Sequence, residues 1–413
     1  MIVAAIAIAL FCMFAERSFP LLSERATRSP ALILILSAVG GFFAARGLGA
    51  ETDPAAVSAV ATTMLAGLAF VAGLQVKITQ LPRACPSTFR LATIGAPIFL
   101  AGCAAAAFTL LPGLSLWSAL ALGAALVLNG AATDRSAFMR APAPDAMKFA
   151  VRTESAATLV LWAPAAVILA AAAGVPSEGA RPASALEAAI LSAVLGVGLG
   201  AGVGLLLAIP ARLAVRRENK RLASALVATG GAIAFAVGAL TLADPICACA
   251  AAGLALAQDA RLKAPERVKL RRLAERGLSP VAFALFGFVM GPRLIGEADL
   301  LIILFAIFVV GGVRIIAREA ALARAPAEPE SRRFLSWFGG APGAASALFL
   351  LTYVDAGRMS DQELVLTAGA TAVFAGVLIT RLTSKPIARR YVKALGAARR
   401  RFGEPASAFG MGR

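Results

Sequence analysis

Thirteen mostly apolar stretches run through this 413-residue chain, and nearly all of its positive charge lies in alternate gaps between them. The stretches are 1–15, 30–46, 56–75, 88–111, 115–132, 146–173, 185–209, 222–241, 243–258, 278–292, 298–317, 334–353 and 363–383. With 59% hydrophobic residues, 15% charged residues and a mean hydropathy of +0.81, the chain has too little polar surface for an ordinary soluble domain. Uncharged runs of about 20 residues span bilayer hydrocarbon, where a helix satisfies its own backbone hydrogen bonds. The expected fold is therefore an all-α polytopic membrane protein with about 13 transmembrane helices.

The gaps sort into two kinds. One set holds clusters such as Arg212, Arg216, Arg217, Lys220 and Arg221, the seven basic residues of 261–276, and Arg318, Arg324, Arg332 and Arg333. The other holds only Arg46, Arg181, Arg293 and Arg358, so 36 of the 40 Lys and Arg fall in the first set. Positive residues are retained in the cytoplasm, which predicts an outside N-terminus and an inside C-terminus. The net charge of +17 is then a topogenic signal that also attracts anionic membrane lipid, not a nucleic-acid footprint. A bacterial inner (plasma) membrane is the expected location. The opening stretch lacks a basic n-region and reads as a retained helix.

The chain has no histidine, and its five cysteines lie mostly in apolar runs, as buried structural residues do. No nucleophile–base pair, metal cluster or phosphate loop appears, so neither enzyme chemistry nor a cofactor is expected.

Ionisable groups inside membrane segments are expensive and usually functional, and few qualify here. Asp134 closes the segment Asn129-Gly130-Ala131-Ala132-Thr133-Asp134, and Glu154 precedes Ser155 at the start of an apolar run. Arg314 lies within the eleventh stretch or near its end, and Asp244 in the turn between the eighth and ninth. The Asn-Gly and Thr-Asp pairs compete with helical backbone bonding, so the fifth stretch is expected to be broken there. Gly339, Gly340, Pro342 and Gly343 predict a second break in the twelfth. Two interrupted helices in corresponding halves point to a transport site at the membrane midplane. Blander readings exist for each group: Asp134 as a helix-end partner, Glu154 as a first-turn dipole partner, Arg314 as an interfacial snorkelling residue, the glycines as close-packing positions. Gly196 and Gly200 read as a packing or dimer face.

These residues resemble the monovalent cation:proton antiporter superfamily, in particular its bacterial NhaP and sodium/hydrogen exchanger branch, from about residue 30 to 385. LAFVAGLQVKI at 68–78 is similar to the family's third-helix segment, and Ala132-Thr133-Asp134 to the TDP motif of its unwound fifth helix. Glu154-Ser155 resembles the start of its sixth-helix ES-x-x-ND motif, and the stretch from Phe338 to Ser346 its twelfth-helix G-L-R-G-A-V-S run. The resemblance implies two inverted repeats, two crossed broken helices, a homodimer, and alternating-access exchange of Na⁺, Li⁺ or K⁺ for protons. It implies a single transmembrane domain over 1–385 followed by a short basic cytoplasmic tail, 386–413. The ion- and proton-binding set carried over is Asp134, Glu154, Thr133, Ser155 and Thr158, supported by Arg314, Asn129, Gly339, Gly340 and Gly343.

Four departures bear on that expectation. The family's Asn-Asp pair falls on Thr158-Leu159, so its central aspartate is a leucine here. Arg135 replaces the proline after the TD pair, Ala341-Pro342 the twelfth-helix arginine, and Val71 the third-helix glutamate. A carrier of another solute and a transport-inactive membrane scaffold on the same fold are the alternatives that these changes leave open.

Overall fold

The computed structural model describes residues 30–48, 53–78, 81, 85–129, 144–174, 182–217, 219–258, 270, 274–325, 328–352 and 361–401. Thirteen helices have described bounds, and no strand occurs among the described residues. They are α1 (Pro30–Leu48), α2 (Pro54–Gly73), α3 (Pro86–Leu110), α4 (Leu116–Val127), α5 (Asp145–Ala173), α6 (Pro182–Arg216) and α7 (Lys220–Leu240). There follow α8 (Pro245–Gln258), α9 (Ser279–Gly296), α10 (Leu300–Leu322), α11 (Pro329–Phe338), α12 (Ala344–Thr352) and α13 (Gln362–Arg401). Twelve of the thirteen apolar stretches coincide with these elements, the twelfth being split into α11 and α12; the first stretch lies outside the described residues.

Local sequence sets the helix starts. Asp53 accepts from the Ala55 amide ahead of Pro54, Ser115 from Ser118, Asn219 from Leu222 and Asp299 from Ile302, each at 2.8–3.1 Å. Such caps satisfy amide groups that the first helical turn leaves unpaired. Asp244 does the same for α8 through the Cys247 amide at 2.7 Å.

Seven helices (α2, α3, α5, α6, α9, α10 and α13) are long and apolar enough to cross a membrane, and α1, α4, α7 and α8 are shorter apolar helices. Leu205, Leu206, Ile209, Leu300, Ile307 and Phe308 stand exposed on the outer faces, as apolar side chains do when lipid is the solvent.

Small residues bring the inner helices together, since lipid supplies no hydrophobic drive between apolar helices. Gly196, Gly200 and Gly204 of α6 lie against the α8 backbone at Asp244, Ala248 and Ala252. Gly253 of α8 meets the Phe70 carbonyl of α2, and Gly41 of α1 meets Phe288 of α9. The Gly196-x3-Gly200 pair is thus a packing seam inside one chain. Gly253→Val is expected to cost about 1–3 kcal/mol or more through overpacking and to lower the thermal unfolding midpoint in detergent. Gly198, with open space around its Cα, should tolerate alanine with no such shift.

At the centre, α5 touches α2, α3, α4, α6 and α8, while α10 packs on α3, α11 and α13. Two of these helices carry single π-helical turns, Leu91–Gly95 in α3 and Val309–Val313 in α10. Turns of this kind occur frequently at functional sites; Leu91 and Gly95 of the first line the cavity described next, as does Arg314, which directly follows the second.

Candidate ion site where one helix end meets the break in another

α4 stops at Val127, and Leu128 and Asn129 leave the helix. α11 stops at Phe338, and the chain runs non-helically from Gly339 to Gly343 before α12 begins. The two breaks meet: the Ser346 hydroxyl of α12 donates to the Leu128 carbonyl at 2.7 Å. Ser346 therefore satisfies an acceptor that the α4 break exposes. A small cavity lies beside this contact, lined by Asn129, Glu154, Thr158, Arg314, Arg318 and Gly340, among others.

Glu154 sits nine residues into α5, in its third turn, and is 2% exposed. That depth removes the first-turn dipole reading. Its partner is Arg318 of α10: Nη1 donates to Oε1 and Nη2 to Oε2, the latter at 3.0 Å. Arg318 also donates from Nε and Nη2 to the Leu335 carbonyl of α11, at 3.0 and 2.6 Å. One guanidinium therefore ties α5, α10 and α11 together. Counting Arg318 among the loop charges is corrected here: α10 continues to Leu322 and buries the side chain to 5% exposure.

Arg314, one turn earlier on the same helix face, is 2% exposed. Its Nε donates to the Val310 carbonyl and its Nη1 to the Gly339 carbonyl, both at 2.9 Å. It is thus a buried residue holding the α11 break and not an interfacial snorkelling group. Its bond to Gly339 satisfies a carbonyl that the break would otherwise orphan.

The glycines are explained by the same pair. A Cβ on Gly339 would strike the Glu154 carboxylate and Arg318, and one on Gly340 would strike the Arg318 guanidinium. Gly340 also has φ +71°, which side chains other than glycine's rarely adopt. Gly343 accepts from the Ala347 amide at 2.8 Å and opens α12.

Thr158 is buried and donates to the Glu154 carbonyl of its own helix at 3.1 Å, leaving its oxygen free to accept. Ser155 is half-buried on the same helix. The Asn129 Oδ1 is buried without a hydrogen-bond partner among the described residues and lines the cavity. Leu159 is buried in the apolar core. Thr133 and Asp134, four and five positions beyond Asn129, lie outside the described residues. The structure thus brings together Asn129, Glu154, Thr158, Arg314, Gly339 and Gly340. Arg318 and Ser346 were missed by the sequence reading, although the i,i+4 spacing of Arg314 and Arg318 puts both on one helix face.

A polytopic helical protein in which the end of one membrane helix meets the break in another beside a buried, paired carboxylate has the build of a secondary transporter. The chain belongs to the sodium/hydrogen exchanger family, whose transmembrane profile matches residues 2–390; it is a membrane transporter and not an enzyme. Its fold is similar to that of the sodium proton antiporter MjNhaP1 from Methanocaldococcus jannaschii. That likeness has a TM-score of 0.67 at 16% identity and covers 95% of this chain and 100% of the other. An electron-microscopy structure of the same antiporter matches with a TM-score of 0.60 at 16% identity, over 86% of this chain and 90% of that one. No curated protein matches this sequence.

Proposed function

We propose that the protein exchanges a monovalent cation for protons by alternating access, with Asp134 as the carboxylate that binds one or the other. The observation that carries this reading is the Glu154–Arg318 pair beside an unpartnered Asn129 oxygen, where the end of α4 meets the α11–α12 break. Both Glu154 oxygens already accept from Arg318, so Asp134 is the carboxylate left for exchange. Asn129, Thr133, Ser155 and Thr158 add neutral oxygens, the ligand type that hard alkali cations favour. Coupling needs no further part: an ionised Asp134 attracts a cation and a protonated one does not, so the two ions exclude each other. The core then carries either occupant between the two faces.

One cation replaces one proton in this reading, so exchange moves no net charge over a full cycle. Na⁺-driven proton flux in proteoliposomes should therefore agree within about twofold at 0 and −100 mV. Moving one net charge would bias the gradient by about 2.3 kcal/mol, or roughly fifty-fold.

The family resemblance and the charge pattern support the remaining parts of the proposal. These are two inverted repeats, an outside N-terminus and inside C-terminus, a homodimer in a bacterial inner membrane, and a basic tail over 386–413. A second reading, transport of another solute, is favoured by Leu159 together with two buried guanidinium groups against one described carboxylate.

Everted vesicles with a pH-sensitive dye distinguish the two. Addition of Na⁺, Li⁺ or K⁺ should collapse a preformed pH gradient where the protein is present. No response to any of the three, with folded protein in the membrane, would sink the exchanger reading and favour the second.

A further inference from the structure

A groove of about 600 Å³ lies between α11 and α13 and shares no lining residue with the ion-site cavity. Its floor is aromatic: Phe334 stacks on Tyr391 with ring centroids 4.5 Å apart, and the Tyr391 hydroxyl lies 3.1 Å from Ser331 Oγ. Those two contacts fix the register of the helices. Arg333 and Arg390, each next in sequence to a ring of that stack, both line the groove and are exposed.

The two helices approach the bilayer from opposite chain directions and grade the groove alike. On α11 the chain passes from Arg333 to Trp337, about 6 Å along the axis; on α13 it passes back from Arg390 to Thr383, about 10 Å. The deeper walls are apolar, formed by Trp337, Pro386 and Ile387. Thr383 ends the last apolar stretch, which places this depth at the edge of the hydrocarbon. The interfacial layer on each side of a bilayer is about 5–8 Å thick, which matches the step from arginine to tryptophan. Glu330, one turn nearer water, is the carboxylate at the rim; against it stand Arg333 and Arg390, with Arg389 and Lys393 exposed on α13.

We propose that this groove binds one anionic phospholipid, its phosphate held between Arg333 and Arg390 and an acyl chain laid along Trp337, Pro386 and Ile387. Two guanidinium groups lining one groove suit a phosphodiester, and the apolar walls below them suit a chain that free phosphate lacks. The excess of positive charge at the rim selects a net negative headgroup over a zwitterionic one. This site is independent of the exchange reading.

The test is native mass spectrometry of the detergent-solubilised protein incubated with phosphatidylglycerol, beside fluorescence quenching by phosphatidylglycerol brominated in its acyl chain. Wild type should retain one phosphatidylglycerol where phosphatidylcholine is lost. Arg333→Gln/Arg390→Gln should lower that retention by about tenfold or more, the loss of charge-assisted hydrogen bonds. Brominated lipid should quench a tryptophan component that Trp337→Phe removes, a readout that does not depend on the arginine variant folding. Equal retention of the two lipids, displacement by millimolar inorganic phosphate, or quenching unchanged in Trp337→Phe would overturn the proposal.

Discussion

Glu154→Ala should cost the folded protein about 3–5 kcal/mol, because it leaves the Arg318 guanidinium buried without its counter-charge. Arg318 is 5% exposed, and its remaining partner among the described residues is the Leu335 carbonyl. The expected reading is a large drop in the thermal unfolding midpoint in detergent. A second change, Arg318→Met, should recover much of the loss, since an apolar side chain of similar length needs no counter-charge. Recovery stays incomplete because the Leu335 carbonyl then loses its donor, at about 1–3 kcal/mol. A double-mutant cycle gives the coupling directly. Additive losses from the two single variants would mean that the pair does not hold α5, α10 and α11 together.

Asp134→Asn should reduce cation-triggered proton flux in everted vesicles to that of membranes lacking the protein, with little loss of folded protein. The amide keeps the side chain's size and one oxygen but cannot exchange a proton for a cation. Thr158→Val is the contrasting change: it removes one hydroxyl that already bonds its own helix, and should weaken cation affinity while flux persists at higher cation concentration. Full flux in Asp134→Asn would move the exchange function to another group.

The helices were legible because a membrane imposes a length on apolar runs, and that length is visible without any tertiary information. The α11–α12 break was equally legible: three glycines and a proline within Gly339–Gly343 cannot continue a helix cheaply. The sequence reading expected unwinding there, and the structure adds why two of the glycines are needed, since a Cβ at either would enter the Glu154–Arg318 pair. The break of α4 at Leu128 fell one residue before the expected Asn129-Gly130 pair.

Arg318 was illegible for a physical reason. It follows the hydropathic stretch ending at 317 and precedes Glu319 and Arg324, so hydropathy assigns it to the interface. Burial was decided by α11, which folds back and covers that turn through Leu335. A charge pair between residues 164 positions apart leaves no local trace in sequence. The same holds for Ser346 and the Leu128 carbonyl, where an ordinary serine is recruited by a break in another helix. The leucine at 159, where the family resemblance implies an aspartate, was plain in the sequence, and nothing in the structure explains it.

Proton release on cation binding tests the central claim most directly. A pH-indicator titration of the purified protein in weak buffer should show one proton released per Na⁺, Li⁺ or K⁺ bound in wild type, and none in Asp134→Asn. The same release should persist in the paired variant Glu154→Gln/Arg318→Gln, because that pair positions the site without exchanging. Release that survives Asp134→Asn, or that vanishes in the paired variant while the protein remains folded, would contradict the assignment of Asp134 as the exchanging carboxylate.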